Sequence, residues 1–157
     1  MTIEILTLFP DIFRNFLMES IVGNAINQNA IKVNITNIRD FAFNKHKQVD
    51  DYPFGGGPGM VMKPEPLFES IEHVKKGRKI PVIYFTPQGR LLDQETINDY
   101  SKIEEVILLC GHYKEIDQRI RDTLVDDEIS IGDYVLSGGE IPAMVFVDAV
   151  ARLQKGV

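Results

Sequence analysis

Three times along this chain an apolar run passes straight into a turn that carries glycine. The segments are Val82-Ile-Tyr-Phe-Thr-Pro-Gln-Gly89, Val106-Ile-Leu-Leu-Cys-Gly-His-Tyr113 and Ile129-Ser-Ile-Gly-Asp-Tyr-Val-Leu-Ser-Gly-Gly139. Short apolar runs bounded by turns read as strands buried on both faces, the pattern of a parallel sheet sandwiched between helices. In open sheets of that kind, ligands bind beyond the carboxyl ends of the strands. Glycine there lets the backbone come close to a ligand. Three such turns on neighbouring strands could line one pocket, with backbone N–H and C=O groups reading an adenine edge. Taken singly, each glycine need do no more than permit a tight turn.

The rest of the chain supports this architecture. Ile3–Phe9 reads as a buried strand and Ile31–Ile38 as an alternating one. Pro81–Phe85, Ile103–Cys110 and Glu128–Ile131 follow as the third, fourth and fifth strands. A helix is predicted from Pro10-Asp11 onward, since Pro suits a first turn and Asp complements the positive helix end. Phe13, Phe16 and Leu17 would share its inner face. Further helices are predicted near Pro66–Lys76, Asp93–Tyr100, Ile116–Leu124 and Glu140–Leu153. The fold class is therefore α/β, a mainly parallel sheet with helices on both faces. The 157 residues fit one domain, and a hydrophobic content of 44% is enough for a sizeable core.

Two stretches break the pattern. Ser137-Gly-Gly-Glu140 has the spacing of a helix capping box. Starting the helix at Ser137 would put Pro142 inside it, where its ring and missing N–H oppose the helix. The start is therefore expected at about Gly139–Ile141, with both glycines left in the turn. Arg39 to about Met62 has no helical period and contains Asp50-Asp51, Pro53 and Phe54-Gly-Gly-Gly-Pro-Gly-Met60. A loop this long is functional or disordered more often than it is a plain connector. A flexible lid, a surface for a flat base and a connector all remain open for it.

Charge and composition exclude several classes. The net charge of −6 opposes nucleic-acid binding by bulk charge. Local basic clusters remain at Lys45-His46-Lys47 and at Lys75-Lys76 with Arg78-Lys79. The single cysteine, Cys110, excludes a disulfide within the chain and suits a reducing, cytoplasmic setting. Cys110 and the three histidines, His46, His73 and His112, show no zinc-ligand spacing. No apolar run approaches the roughly 20 residues of a membrane span, so no membrane partner is expected. There is no P-loop and no G-x-G-x-x-G fingerprint.

Taken together, the motifs resemble the bacterial tRNA (guanine-N1)-methyltransferase family of the knotted (SPOUT) superfamily. Ser130-Ile-Gly-Asp-Tyr-Val-Leu-Ser-Gly-Gly-Glu-Ile-Pro-Ala-Met144 is the most specific stretch. Val49-Asp-Asp-Tyr-Pro-Phe-Gly-Gly-Gly-Pro-Gly-Met60 is the second. The likeness runs from Ile3 to Arg152. It implies a C-terminal trefoil knot and a homodimer. It also implies S-adenosyl-L-methionine as methyl donor, with Mg2+ as a candidate second cofactor, and transfer to N1 of guanine 37 in tRNA. Cofactor contacts carried over by match are Tyr84, Thr86, Pro87 and Gly89 in the first turn, and Gly111 and Tyr113 in the second. In the third they are Ile131, Gly132, Asp133, Tyr134, Val135, Leu136, Gly138, Gly139 and Pro142. Matching substrate positions are His46, Asp50, Gly57 and Gly59, with Glu115 as the stand-in for a family carboxylate one position earlier, and Arg152 matches the catalytic arginine.

One departure stands out, because Lys114-Glu115 occupies the place of a common Glu-Gly pair. The family's general base and its tRNA-gripping helical domain lie beyond the segments matched. The chain is therefore expected to stop at a domain boundary, to bind the donor, and to show little or no turnover alone. Competing readings are another knotted RNA methyltransferase, a non-catalytic donor-binding dimer, and a flavodoxin-like nucleotide-binding domain.

Overall fold

The computed structural model describes all 157 residues. In chain order its elements are β1 Thr2–Thr7, α1 Ser20–Asn27, β2 Lys32–Asn37, β3 Asp50–Asp51, β4 Val61–Met62, α2 Pro64–Lys75, β5 Val82–Leu91, α3 Gln94–Tyr100, β6 Glu105–Leu109, β7 Glu115–Ile116, α4 Gln118–Leu124, β8 Asp127–Ser130 and α5 Glu140–Ala151. Single 3-10 turns lie at Pro10–Phe13 and Ile38–Phe41.

The main sheet has five strands in the order β2-β1-β6-β5-β8. Every pairing in it is parallel. Alternation along each strand divides the core between the two faces. Ile3 and Ile5 of β1, Ile83 and Phe85 of β5, and Val106 and Leu108 of β6 point to one side. They meet Val22 and Ala25 of α1, Ile97 of α3, and Phe146, Val147 and Val150 of α5. Leu6, Val82, Tyr84, Ile107 and Leu109 point to the other side and meet Leu67, Ile71 and Val74 of α2 and Ile120 of α4. The parallel α/β layers predicted from the apolar runs are thus present.

The helix expected from Pro10 is not. Pro10–Phe13 makes one 3-10 turn that buries Phe13, and the chain then reverses before α1. Gly23 explains the reversal. A Cβ on it would stand 2.4 Å from the Met18 carbonyl oxygen, so only glycine lets α1 seat against the preceding turn. The first glycine turn also differs from expectation. β5 does not end at Phe85; Phe85 and Arg90 both pair with Ile129, so residues 86–89 bulge out and the strand resumes. Pro87 has no N–H to give a ladder, which forces the excursion. A Cβ on Gly89 would lie 2.5 Å from the Glu128 carbonyl, so the absence of one allows the return. The long stretch after Arg39 holds two two-residue strands, β3 and β4, in a small sheet with β7. The start of α5 at Glu140, with Gly139 as its cap, is as Pro142 required.

Candidate functional site

The three glycine-bearing segments converge at the bulge of β5 and the carboxyl ends of β6 and β8 and enclose an open cleft of about 210 Å³. Thr86 and Pro87 come from the β5 bulge, and Gly111 and Tyr113 from the turn after β6. Ile131, Gly132, Tyr134, Val135 and Leu136 come from the chain after β8. Tyr84, Gly138, Gly139 and Pro142 complete the walls.

The third segment crosses from the edge strand β8 to the centre of the sheet. It is fastened there by Gly139 N–H donating to Gly111 O at 2.9 Å and by a bridge between His112 and Gly138. Ser130 Oγ holds its start by donating to Gly132 O at 2.9 Å. Its far end is tied to β1, where Thr7 Oγ1 donates to the buried Glu140 Oε1 at 2.7 Å. The close approach demands glycine. A Cβ on Gly139 would lie 2.7 Å from Cys110 Cα, and one on Gly111 would lie 2.7 Å from the Tyr84 ring.

Behind these walls lies a charge network. Arg121 of α4 donates to Glu128 twice at 2.8 Å, to Glu115 at 2.5 Å and to Gln88 at 3.1 Å, and lies over the Tyr84 ring. Burial pushes the Tyr84 phenol up to about 12, against the opposing pull of the Arg121 charge. At the outer edge Asp127 accepts from Arg90 at 3.0 and 2.6 Å and from Tyr100 at 2.7 Å. Burial raises the Asp127 pKa, but those hydrogen bonds and the Arg90 charge outweigh it and lower it overall. Glu115 is the only carboxylate lining the cleft, and it is ion-paired with Arg121. Lys114 also lines the cleft and has no ion pair.

Several residues singled out from the sequence lie elsewhere. Gly89 packs on the β8 backbone, and Asp133 does not line the cleft. Gly57 and Gly59 sit beside it instead, against the Lys114 side chain at 4.0 and 3.6 Å from their Cβ positions. Asp50 is in β3, paired with Met62, and His46 is on the exposed loop before it. Arg152 follows the last residue of α5, exposed and without an ion pair. Ten residues separate it from Pro142 of the cleft wall, about 15 Å along the helix at 1.5 Å per residue.

The structure adds lining residues that the sequence did not single out: Phe85, Gln88, His112, Lys114, Ile129, Ser130 and Ser137. Most are neighbours of named positions in the same turns, which is the signal that could have found them. His112 Nδ1 is buried with no hydrogen-bond partner, an unsatisfied polar atom at a cleft-lining residue. Together with the close-packed glycines, it fits a cleft built for a polar small molecule. No group of three or more His, Cys, Asp or Glu side chains could hold a metal ion. No helix is long and apolar enough to cross a membrane.

The profile of the family described as tRNA (guanine-1)-methyltransferase TrmD matches residues 1–157. The chain belongs to that family. Among TrmD relatives, the tRNA (guanine-N(1)-)-methyltransferase of Caldanaerobacter subterraneus subsp. tengcongensis is 54% identical over 157 residues, covering all of this chain and 65% of the relative. That of Clostridioides difficile is 52% identical over 160 residues, covering all of this chain and 69% of the relative. The chain thus spans about two thirds of the length of these curated TrmD relatives. A solved TrmD-type structure, the tRNA (m1G37) methyltransferase of Aquifex aeolicus, superposes with a TM-score of 0.92 at 40% identity. It is matched over all of this chain and 71% of its own.

Proposed function

We propose that these 157 residues form the methyl-donor domain of a cytoplasmic tRNA methyltransferase that modifies N1 of guanine 37 and works as a homodimer. The observation that carries the reading is the convergence of three glycine turns, from non-consecutive segments, on one cleft. S-adenosyl-L-methionine bound there would supply an electrophilic methyl group. Transfer is a displacement in which guanine N1 bonds to the methyl carbon as its bond to sulfur breaks and the N1 proton leaves to a base. The chain's part is alignment, since backbone walls hold the donor while the substrate approaches.

Gly57, Gly59 and Lys114 offer the substrate side, next to the cleft. His46 precedes β3 and Asp50 lies in it, ahead of that glycine loop in the chain. No cluster of three or more carboxylate, imidazole or thiol side chains offers Mg2+ a protein cage. The single carboxylate of the cleft, Glu115, is neutralised by Arg121, which leaves no free carboxylate among the lining side chains. Arg152, about 15 Å from Pro142 along α5, is placed to serve the cleft of a second copy rather than its own. The exposed Ile12 and the outward Ile141 and Val145 of α5 supply apolar surface for such a partner. The knot implied by the family is supported by the path of residues 131–139, which return across the sheet from β8 to β6 and β1.

Calorimetry with S-adenosylhomocysteine and transfer of labelled methyl to tRNA transcripts bearing G37 or A37 test the proposal together. The chain is expected to bind the ligand and to turn over little or not at all by itself. Lack of ligand binding, or measurable labelling of the A37 transcript, would overturn the reading.

A further inference from the structure

Arg121 has no role in the motifs, yet it touches all three walls of the cleft. Its side chain is only 9% exposed. Gln88 belongs to the β5 bulge, Glu115 follows Tyr113 and Lys114 of the second turn, and Glu128 lies on β8 just ahead of Ile131. The Tyr84 ring under the guanidinium is the surface against which Gly111 packs. One cation between two carboxylates leaves no positive charge to attract an anion, so its use is internal. Only a guanidinium has the planar fork to reach a bidentate carboxylate, a second carboxylate and an amide oxygen at once.

We infer that Arg121 is a positioning residue for the methyl donor: without touching the ligand, it fixes the spacing of the β5 bulge, the turn after β6 and the entry to the third segment. Glu115 then acts as one of its struts rather than as a substrate contact. The inference rests on the donor-site reading given above.

The test is calorimetric titration of S-adenosylhomocysteine into the 157-residue chain, well below its unfolding temperature, beside thermal unfolding of each variant. Arg121→Lys keeps the charge and loses the fork; it should weaken binding about tenfold, the worth of one charge-assisted hydrogen bond. Gln88→Leu cuts a single arm at an exposed position and should weaken binding about threefold with an unchanged unfolding midpoint. If Arg121→Lys fails to fold, Gln88→Leu decides alone. Parent-like affinity in both Arg121→Lys and Gln88→Leu, with only the unfolding midpoint lowered, would make Arg121 merely structural and overturn the inference. Absence of binding by the parent chain would refute the donor-site reading and this inference with it.

Discussion

The cleft and the glycine-rich loop beside it are built on opposite plans. In the cleft, short glycine turns press against backbone and ring atoms at distances that leave no room for a methyl group. Its edges are tied by Arg121 and Asp127, each engaging several partners. In the loop, Gly55 and Gly56 have open space around them, Phe43 and Tyr52 are exposed, and Phe54 is fully so. One region is preorganised and the other is left free to adapt. That division suits the proposed function, in which one small donor is always the same while a large substrate must dock and leave.

The comparison is broken most directly by adding one methyl group to the tight side. Gly139→Ala would place a Cβ 2.7 Å from Cys110 Cα, where backbone cannot yield. It should lose about 1–3 kcal/mol of stability, as overpacking does, together with affinity for S-adenosylhomocysteine. Denaturant unfolding and calorimetry would show both, and a parent-like result would mean that the third segment is not held against β6 as described.

A smaller effect should follow from the acid side of the network. Asp127 has a lowered pKa in the folded chain, so its contribution is present above the ordinary value of 3.8 and is lost as pH falls through the folded value. The unfolding midpoint of the parent should therefore drop more steeply below about pH 4 than that of Asp127→Asn. Parallel pH profiles would show that the Arg90 and Tyr100 ties carry no net stability.

The smallest effect belongs to the loop. Phe54→Ala removes a whole ring, yet stability should stay within about 0.5 kcal/mol, because the ring packs on nothing. Binding of S-adenosylhomocysteine should not change. A large loss of either would show that the loop closes over the cleft already in the free chain.

What the sequence disclosed and what it hid follow the reach of the interactions. Apolar runs showed the five main strands, and Pro142 alone located the start of α5, because both are local effects. The helix at Ser20–Asn27 was missed, since its seat depends on Gly23 meeting the Met18 carbonyl. The resumption of β5 after Gly89 was missed because it is decided by pairing with β8, some forty residues on. Arg121 meets Gln88 from 33 positions away and has no periodic or motif signal to announce it. That the three turns could share one cleft was readable from where ligands bind in open sheets, but the strand order that brings them together was not. The pairing state of Glu115 was not.

The β5 bulge carries one more implication. Its two ends, Phe85 and Arg90, are stitched to the same residue, Ile129. A flap sewn down at both hems cannot swing, so that wall is a fixed sill rather than a door. Traffic through the cleft then depends on the opposite jamb, where Tyr134 and Val135 stand in solvent.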